Sequence, residues 1–279
     1  EDKTITELDT TKMPCCITLL DGNSLTLALE DEIGIYDFRD NNFHSQLKID
    51  PSRVRFNDGK LDNNNVLHIG TMDRSEKEYI GKIYRYQNGR LEPLYNNIGI
   101  SNGIAFDSKN KMYHSDSLSG NLFYDGEIIN RYTGSIAPDG ACVEDQTDNY
   151  YSCLWGGSAI DIYHNQKPID KIPLPVKYPT CCCYGGINKN QMFITGRSCG
   201  GWMTRVPAAV ARVEGDSTDL CVTCHCNNSY FSQVMVSKCQ LLWFYCLDEL
   251  AFATFLRATT CLCCGSAHIA VTSIARACS

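Results

Sequence analysis

Short apolar runs alternate with polar turns along the first 196 residues of the chain. In the stretch from Ser101 to Ser117, an Asn-Gly pair precedes one apolar run, and a turn of Asp, Ser, Lys and Asn separates that run from a second one. Helical 3.6-residue periodicity is absent from this part of the chain. Paired runs of this length with turn-forming residues between them are typical of β-hairpins. The pattern therefore predicts an all-β fold.

The hairpin unit recurs at a nearly constant interval. Similar units begin at residues 15, 58, 102, 139 and 181, which are 43, 44, 37 and 42 residues apart. An apolar residue followed by Tyr opens a second hairpin in between, at Ile35-Tyr36, Ile83-Tyr84, Phe123-Tyr124 and Ile162-Tyr163. Two hairpins in a period of about 40–45 residues indicate a four-stranded propeller blade. A β-sandwich with coincidental spacing is the alternative.

Oxygen-bearing side chains stand where the first strand of several units begins. In a propeller that strand is the innermost, so equivalent positions converge on one mouth of the central channel. The residues concerned are Asn57, Asp58, Asn102 and Asp139. A ring of oxygen ligands suits a hard cation such as Ca²⁺. The alternative is that the Asn-Gly and Asp-Gly pairs only form turns.

Charge and hydropathy exclude some partners and leave others open. The net charge of −7 provides no basic surface for nucleic acid or an anionic membrane. The most apolar window, Leu241 to Phe255, is interrupted by Asp248 and Glu249, so it does not predict a membrane span. The sequence opens on Glu1 without a charged-then-apolar leader, and we expect the natural start to lie upstream. No obligate protein partner is evident.

Cysteine usage bears on the cellular compartment. Of 17 cysteines, seven lie in residues 1–196, where most are adjacent in sequence, and ten lie in residues 197–279. Adjacent cysteines do not have the spacing of a disulfide framework. We therefore expect reduced thiols and a cytoplasmic protein.

Several stretches together resemble the senescence-marker-protein/regucalcin/gluconolactonase family, which includes luciferin-regenerating-enzyme-like proteins. The matching stretches are RFNDGKLD at 55–62, GTMD at 70–73, ISNGIAFDSKNKMYHSDSLSG at 100–120, PDGACVEDQ at 138–146, LPVKYPTCCCYGG at 174–186 and MFITG at 192–196. The resemblance covers roughly residues 12–197.

The resemblance implies a six-bladed β-propeller with one divalent metal, and a hydrolase that opens sugar-acid lactones with water. Asn102 and Asp139 match two metal ligands of the family, and Asp139 is also the candidate general base. Arg55 and Asn57 match the substrate-contacting pair. The metal would be Ca²⁺ or Zn²⁺, with Mn²⁺ or Mg²⁺ as further options, and the partner a small lactone. Asp116 is expected to support its blade, or the residues around the metal ligands, by hydrogen bonding.

The chain departs from the family pattern at three points. The opening blade segment, which carries a glutamate ligand, has no counterpart, because Glu1 and Glu7 lie in no matching motif. The acidic substrate contact of the family falls at Ser75, with Glu76 adjacent. The pattern also stops near Arg197. About five blades are therefore recognisable, and we expect an incomplete propeller in residues 1–197.

Residues 198–279 form a separate, Cys-rich tail of unassigned structure. Cys221-Val-Thr-Cys224-His225 fits a c-type haem pattern, and two cysteine clusters at 221–226 and 261–264 could form a zinc site. A glycosylation sequon stands at 227–229. The tail has no repeat, and we interpret it as sequence translated out of frame or through an intron.

Three functions remain open from the sequence. The first is the metal-dependent lactonase, impaired if the glutamate ligand is missing. The second is a calcium-binding regulatory propeller without catalytic turnover. The third, suggested by the luciferin-regenerating branch, is hydrolase or nitrile-processing activity on a heterocyclic substrate.

Overall fold

The computed structural model describes residues 5–10, 12–185, 191–197, 252–261 and 266–275. Every regular element in these ranges is a β-strand, and the strands within each sheet pair antiparallel. The described residues contain no helix long and apolar enough to cross a membrane. The predicted all-β class is confirmed.

Four sheets of four strands follow one another along the chain, each in simple sequence order. Their strands are β2 (Pro14–Asp21), β3 (Ser24–Leu29), β4 (Glu32–Asp37) and β5 (Asn42–Lys48) in the first sheet, β6 (Val54–Leu61), β7 (Leu67–Asp73), β8 (Gly81–Gln87) and β9 (Arg90–Ile98) in the second, β10 (Ser101–Phe106), β11 (Met112–Asp116), β12 (Asn121–Tyr124) and β13 (Glu127–Arg131) in the third, and β14 (Ala137–Val143), β15 (Tyr150–Trp155), β16 (Ala159–His164) and β17 (Lys167–Pro173) in the fourth.

Five further strands complete the described elements. A fifth sheet contains β18 (Tyr178–Gly185) and β19 (Gln191–Arg197), and a sixth contains β1 (Ile5–Thr10), β20 (Phe252–Cys261) and β21 (Ser266–Ala275) in the order β1-β21-β20. Two strands thus fall within the tail, whereas its haem-like motif at 221–225 lies outside the described residues. The interpretation of the tail as out-of-frame or intronic stays a prediction.

The first strands of the sheets are the innermost ones. Strand β2 contacts β6, β6 contacts β10, β10 contacts β14, and β14 contacts β18. Apolar side chains fill the layers between neighbouring sheets. Phe56 and Ile69 of the second sheet pack with Cys16 of the first, and Cys142 of the fourth sheet packs with Cys182 of the fifth. This arrangement confirms the propeller, while six as the number of blades stays a prediction.

The described cysteines serve as packing residues. All seven, from Cys15 to Cys183, are buried, and none of them forms a disulfide. The Sγ atoms of Cys142 and Cys182 lie 3.7 Å apart, which is well beyond the bond length of a disulfide. The prediction of reduced thiols is confirmed for this part of the chain, and the cytoplasmic location stays a prediction.

A β-bulge interrupts each innermost strand near its start. In β10 the register shifts between Asn102 and Ala105, and Gly103 has a φ of +60°. Register shifts stand at the matching places of β2, β6, β14 and β18. Asn102-Gly103 therefore lies inside a strand, and the alternative that it only forms a hairpin turn is wrong. A bulge adds a residue and redirects side chains, as the convergent site requires.

Gly103 offers a test of how tightly the bulge is packed. A Cβ at this position would lie 2.6 Å from the Tyr150 hydroxyl and 2.8 Å from Ser115 Oγ, whereas a Cβ at Gly89 would meet nothing within 4 Å. Both glycines have positive φ, so alanine carries the same backbone strain at each. We expect Gly103→Ala to lower the free energy of unfolding by about 1–3 kcal/mol more than Gly89→Ala does. Equal losses in urea denaturation would contradict this packing.

Candidate functional site

The bulges of three neighbouring innermost strands gather the polar residues that the sequence singles out. Asn57 and Asp58 lie in β6, Asn102 in β10 and Asp139 in β14, and they are only 3%, 3%, 4% and 6% exposed. Arg55, on the same strand as Asn57, is half-buried. We call these five residues the inner-strand site. Buried polar side chains need partners, and those partners define the geometry.

Hydrogen bonds join the expected substrate pair to one expected metal ligand. Arg55 Nη1 donates to Asn57 Oδ1 over 2.8 Å. Asn57 Nδ2 then donates to the Ser101 carbonyl over 2.9 Å and to Asn102 Oδ1 over 3.2 Å. The chain of contacts orients the amide of Asn57 between the guanidinium and Asn102. The structure therefore brings Arg55, Asn57 and Asn102 together, as their motif predicts.

Ser117 fixes the other side of the Asn102 amide. Asn102 Nδ2 donates to Ser117 Oγ over 2.8 Å, and Ser117 Oγ donates to the Pro138 carbonyl over 2.6 Å. The hydroxyl thus connects β10 to β14 next to Asp139. Because the amide nitrogen is used in this way, the amide oxygen is the atom that faces Asn57. The sequence shows Ser117 only as the residue after a strand, so its role escapes motif analysis.

Two buried carboxyl groups influence each other at the site. Burial raises the pKa of Asp58 from 3.8 to about 6, although the Ile104 N–H and the Lys60 ammonium act in the opposite direction. The Ile104 N–H donates to Asp58 Oδ2 over 3.0 Å. Burial raises the pKa of Asp139 well above its ordinary range, and the negative charge of Asp58 adds to that increase. Neighbouring buried acids of this kind favour a proton or a cation between them.

The donor set fits an oxygen-preferring divalent cation. Asp139 and Asp58 supply carboxylate oxygens, and Asn102 supplies an amide oxygen, which is the chemistry that Ca²⁺, Mn²⁺ and Mg²⁺ favour. In the described part of the chain, no group of three or more His, Cys, Asp or Glu side chains is placed to hold a metal.

Ser75 and Glu76, which stand where the family has its acidic substrate contact, lie apart from the hydrogen-bonded residues of the inner-strand site. Ser75 and Glu76 lie on an exposed loop after β7, where Ser75 hydrogen-bonds to Asp73. Within the described residues, no hydrogen bond links Glu76 to the site. Glu7 lies in β1, and Glu1 lies outside the described residues. Glu76 as a substitute for the family's substrate contact stays a prediction, and so does the absence of a counterpart for the family's glutamate ligand.

Asp116 supports the third sheet, as the sequence analysis expects. Its Oδ1 accepts hydrogen bonds from the Ile100 N–H over 2.8 Å and from the Leu118 N–H over 3.1 Å. These bonds fix the segment that leads into β10. Asp116 therefore holds the strand that carries Asn102, without belonging to the inner-strand site.

The fold and the site define an antiparallel β-propeller with a buried acidic centre among its innermost strands. The family model described as SMP-30/Gluconolactonase/LRE-like region matches residues 1–198. The chain belongs to this family, and the resemblance inferred from the motifs is confirmed.

Relatives and solved structures agree with the assignment. The chain is 30% identical over 192 residues to YvrE of Bacillus subtilis, which is named provisionally as a sugar lactone lactonase, and 27% identical over 217 residues to regucalcin of Xenopus laevis. These matches cover 62% and 68% of this chain and 65% and 72% of the relatives, so the chain spans about two thirds of their length. The crystal structure of a calcium-binding protein, regucalcin, from Agrobacterium tumefaciens superimposes with a TM-score of 0.62 at 19% identity, covering 80% of this chain and 79% of that one, which shows the shared fold.

The raised pKa of Asp58 predicts a distinctive pH dependence of stability. The folded chain holds this proton more tightly than the unfolded chain does. The stabilisation is therefore complete below about pH 4 and is lost as the pH rises through about 6. In Asp58→Asn, which keeps an acceptor for the Ile104 N–H, we expect stability relative to the natural chain to improve by roughly 1–3 kcal/mol between pH 4 and pH 7.

Urea denaturation of both proteins at several pH values, without divalent cations, measures this difference. Asp73→Asn is the control, because hydrogen bonds from Ser75 and the Lys77 N–H lower the pKa of Asp73. That variant is expected to lose stability relative to the natural chain at neutral pH and to recover as the pH falls. A constant difference between Asp58→Asn and the natural chain would show that Asp58 is not buried in its charged form.

Proposed function

We propose that the inner-strand site is the centre of a divalent-metal-dependent hydrolase that opens the lactones of sugar acids. The observation that supports this most directly is the chain of hydrogen bonds from Arg55 through Asn57 to Asn102, next to the coupled carboxyl groups of Asp58 and Asp139. In this arrangement the Arg55 guanidinium would serve as a cationic anchor for substrate beside a buried acidic centre. The names of two relatives, a provisionally named sugar lactone lactonase and regucalcin, are consistent with this proposal.

Asn102 Oδ1 and the Asp139 carboxylate would hold the cation. When bound there, a divalent cation supplies Lewis acidity toward the lactone carbonyl and lowers the pKa of a water molecule beside it. Its charge would also offset the mutual repulsion of Asp58 and Asp139. Ca²⁺ and Zn²⁺ are the first candidates, and Mn²⁺ or Mg²⁺ are further ones.

Asp139 would act as the general base. Its carboxylate takes a proton from water as the water oxygen forms a bond to the lactone carbonyl carbon. The bond between that carbon and the ring oxygen then breaks, and the ring oxygen receives the proton as a hydroxyl group. A positioned carboxylate typically contributes 10²–10⁴-fold to such a step. The products are the open-chain hydroxy acid and the regenerated Asp139 carboxylate.

Arg55 and Asn57 would position the substrate. The Arg55 guanidinium donates from Nη1 to Asn57 Oδ1 and to the Phe56 carbonyl, and it also interacts with the Cys15 thiol. The remaining N–H groups suit the hydroxyl and carboxylate oxygens of a sugar acid. Since Asn57 also holds Arg55 in place, the two residues form one binding element.

A calcium-binding regulatory propeller without turnover is the second candidate. The raised pKa values of Asp58 and Asp139 favour it, because they indicate a site that gains from a cation whether or not chemistry follows. The two candidates share the cation and differ in hydrolysis.

Cation binding is expected to stabilise the protein through Asp139. At a free cation concentration a hundred times the Kd, binding to the folded state contributes about 2.7 kcal/mol, which appears as a higher Tm in Ca²⁺ or Mn²⁺ than in EDTA. Asp139→Ala should lose this increase. Asp107→Asn, a substitution at another buried aspartate, should retain it. An equal increase of Tm in natural chain and Asp139→Ala would place the cation elsewhere.

Lactone hydrolysis separates the two candidates. With saturating cation, we expect Asp139→Asn to lower kcat by about 10²–10⁴-fold. We expect Arg55→Ala to raise KM, because Arg55 binds the substrate away from the proton transfer. The measurement is the release of acid from D-glucono-δ-lactone above the spontaneous rate. Saturable cation binding without hydrolysis would support the regulatory propeller, and full activity in Asp139→Asn would reject Asp139 as the base.

A further inference from the structure

A second guanidinium shares one face of the second sheet with Arg55. In the ladder between β6 and β7, Arg55 lies opposite Met72. The pairing continues past the end of β7, because the Arg74 N–H donates to the Arg53 carbonyl over 2.9 Å. The residue two positions beyond the directly opposite one is a diagonal neighbour on the same face, within reach of a long side chain. Arg74 is therefore the diagonal neighbour of Arg55.

A series of contacts through the first sheet connects the two guanidinium groups. Arg74 Nη1 lies 3.0 Å from Glu30 Oε2, and the Glu30 carbonyl accepts a hydrogen bond from the Phe56 N–H over 2.8 Å. The Phe56 carbonyl in turn accepts from Arg55 Nη1 over 3.0 Å. Burial raises the pKa of the Cys15 thiol to about 12, and the positive charges of Arg55 and Arg74 act against this increase. Both cations therefore border one region at the edge of the inner-strand site, and we call Arg55 and Arg74 the arginine subsite.

Positive charge exceeds negative charge in the arginine subsite. Glu30 supplies one carboxylate for the two guanidinium groups, and among the described residues no carboxylate pairs with Arg55. Arg53, on the same strand, is already engaged by Glu78 over 2.7 Å. The side chains of Arg74 and Glu30 are 34% and 27% exposed, so a solute reaches them. An anion would complete the charge balance of this accessible region.

The carboxyl group nearest to Arg74 in the sequence is used by its own loop. Asp73 Oδ2 accepts hydrogen bonds from the Lys77 N–H over 3.0 Å and from the Glu78 N–H over 2.9 Å, and it also contacts the Ser75 hydroxyl. Asp73 is only 4% exposed, so it does not offer an acceptor to the hydroxyl groups of a neutral sugar. Guanidinium groups instead match the paired oxygens of carboxylate and phosphate. The side chains at this end of the second sheet thus favour an anionic group.

The order of the contacts indicates which end of a substrate would meet Arg74. Starting from the expected cation ligand Asn102, the contacts lead to Asn57, then to Arg55 and finally to Arg74. In the proposed reaction the lactone carbonyl lies at the cation. In a six-carbon sugar lactone, C6 is the carbon furthest along the chain from that carbonyl. A substituent at C6 would therefore extend past Arg55 toward Arg74.

We propose that the arginine subsite binds an anionic substituent, carboxylate or phosphate, at the end of the sugar remote from the lactone carbonyl. The substrates are then acidic sugar lactones in preference to neutral ones, and this part of the inference rests on the proposed function. Arg55 and Arg74 donate to the anionic oxygens. Glu30 orients Arg74 and also weakens its attraction for an anion.

Two matched pairs of lactones test the preference. D-glucaro-1,4-lactone differs from D-glucono-1,4-lactone by a carboxylate in place of the C6 hydroxymethyl group, and 6-phospho-D-glucono-δ-lactone differs from D-glucono-δ-lactone by a phosphate. With saturating cation, we expect kcat/KM above the spontaneous rate to be about tenfold higher for the charged member of a pair. A gain in only one pair would identify the anionic group. Equal values in both pairs would overturn the proposal and leave the proposed function intact.

Variants of the arginine subsite assign the preference to its residues. Arg74→Gln should bring the ratio of kcat/KM within each pair close to one, and Arg74→Lys, which keeps the charge, should retain part of it. Glu30→Gln should increase the ratio severalfold. The control is Arg85→Gln, which removes a different exposed ion pair, with Glu92 at 2.6 Å, and should keep the ratio of the natural chain. A preference that survives Arg74→Gln in full would overturn the proposal.

Binding of the open-chain acids tests the arginine subsite without hydrolysis. In calorimetric titrations of the full chain, we expect 6-phospho-D-gluconate to bind about tenfold more tightly than D-gluconate, and Arg74→Gln should remove this difference. Circular dichroism checks that each variant is folded. If no lactone is hydrolysed, a difference that depends on Arg74 would still support the anion site while rejecting the lactonase. Equal affinities of the natural chain for the two acids would overturn the site.

Discussion

The β-bulge near the start of each innermost strand is the constraint on which the rest of the site depends. A regular strand would point successive side chains to opposite faces, so Asn57 and Asp58 could not both turn toward their neighbours in β10 and β14. The extra residue at the bulge breaks this alternation. Gly103 shows what it requires, because its positive φ and the nearby Tyr150 hydroxyl leave no space for a side chain. The bulges of β6, β10 and β14 thus exchange ladder hydrogen bonds for convergent polar groups.

Bringing the polar side chains of the inner-strand site together has an electrostatic cost, which the packing of the rest of the fold must offset. Asp58 and Asp139 are buried in one region, and the charge of each disfavours the charge of the other. The stabilising layers lie elsewhere, between neighbouring sheets, where apolar side chains and reduced cysteines such as Cys16 and Cys182 pack. A cation at the inner-strand site would relieve the repulsion, so the arrangement that destabilises the fold at neutral pH would also favour cation binding.

The repeated hairpin units made it possible to predict the fold from the sequence. What the sequence could not predict also has physical reasons. The intervals between the units at residues 58, 102 and 139 led to the innermost strands, and motif resemblance led to Arg55 and Asn57. Local sequence could not distinguish Asn102-Gly103 in a bulge from the same pair in a turn, since both need positive φ at glycine. The role of Ser117 could not be predicted, because its hydroxyl contacts residues of two different strands, Asn102 in β10 and Pro138 in β14. The pKa of Asp58 depends on burial by neighbouring sheets, which no local pattern records.

The comparison of His68 with His114 shows how repeated sheets acquire different properties. Both residues lie on the second strand of a sheet, and both pack against an aromatic ring of the third sheet. Asp62 meets the hydrogen-bonding need of His68 from the turn that follows β6. Neither ring nitrogen of His114 has such a partner, and the ring is buried between Phe123 and Tyr95. Because each blade repeats the backbone but not the side chains, His114 relies on aromatic packing at a position where His68 also has a carboxylate partner.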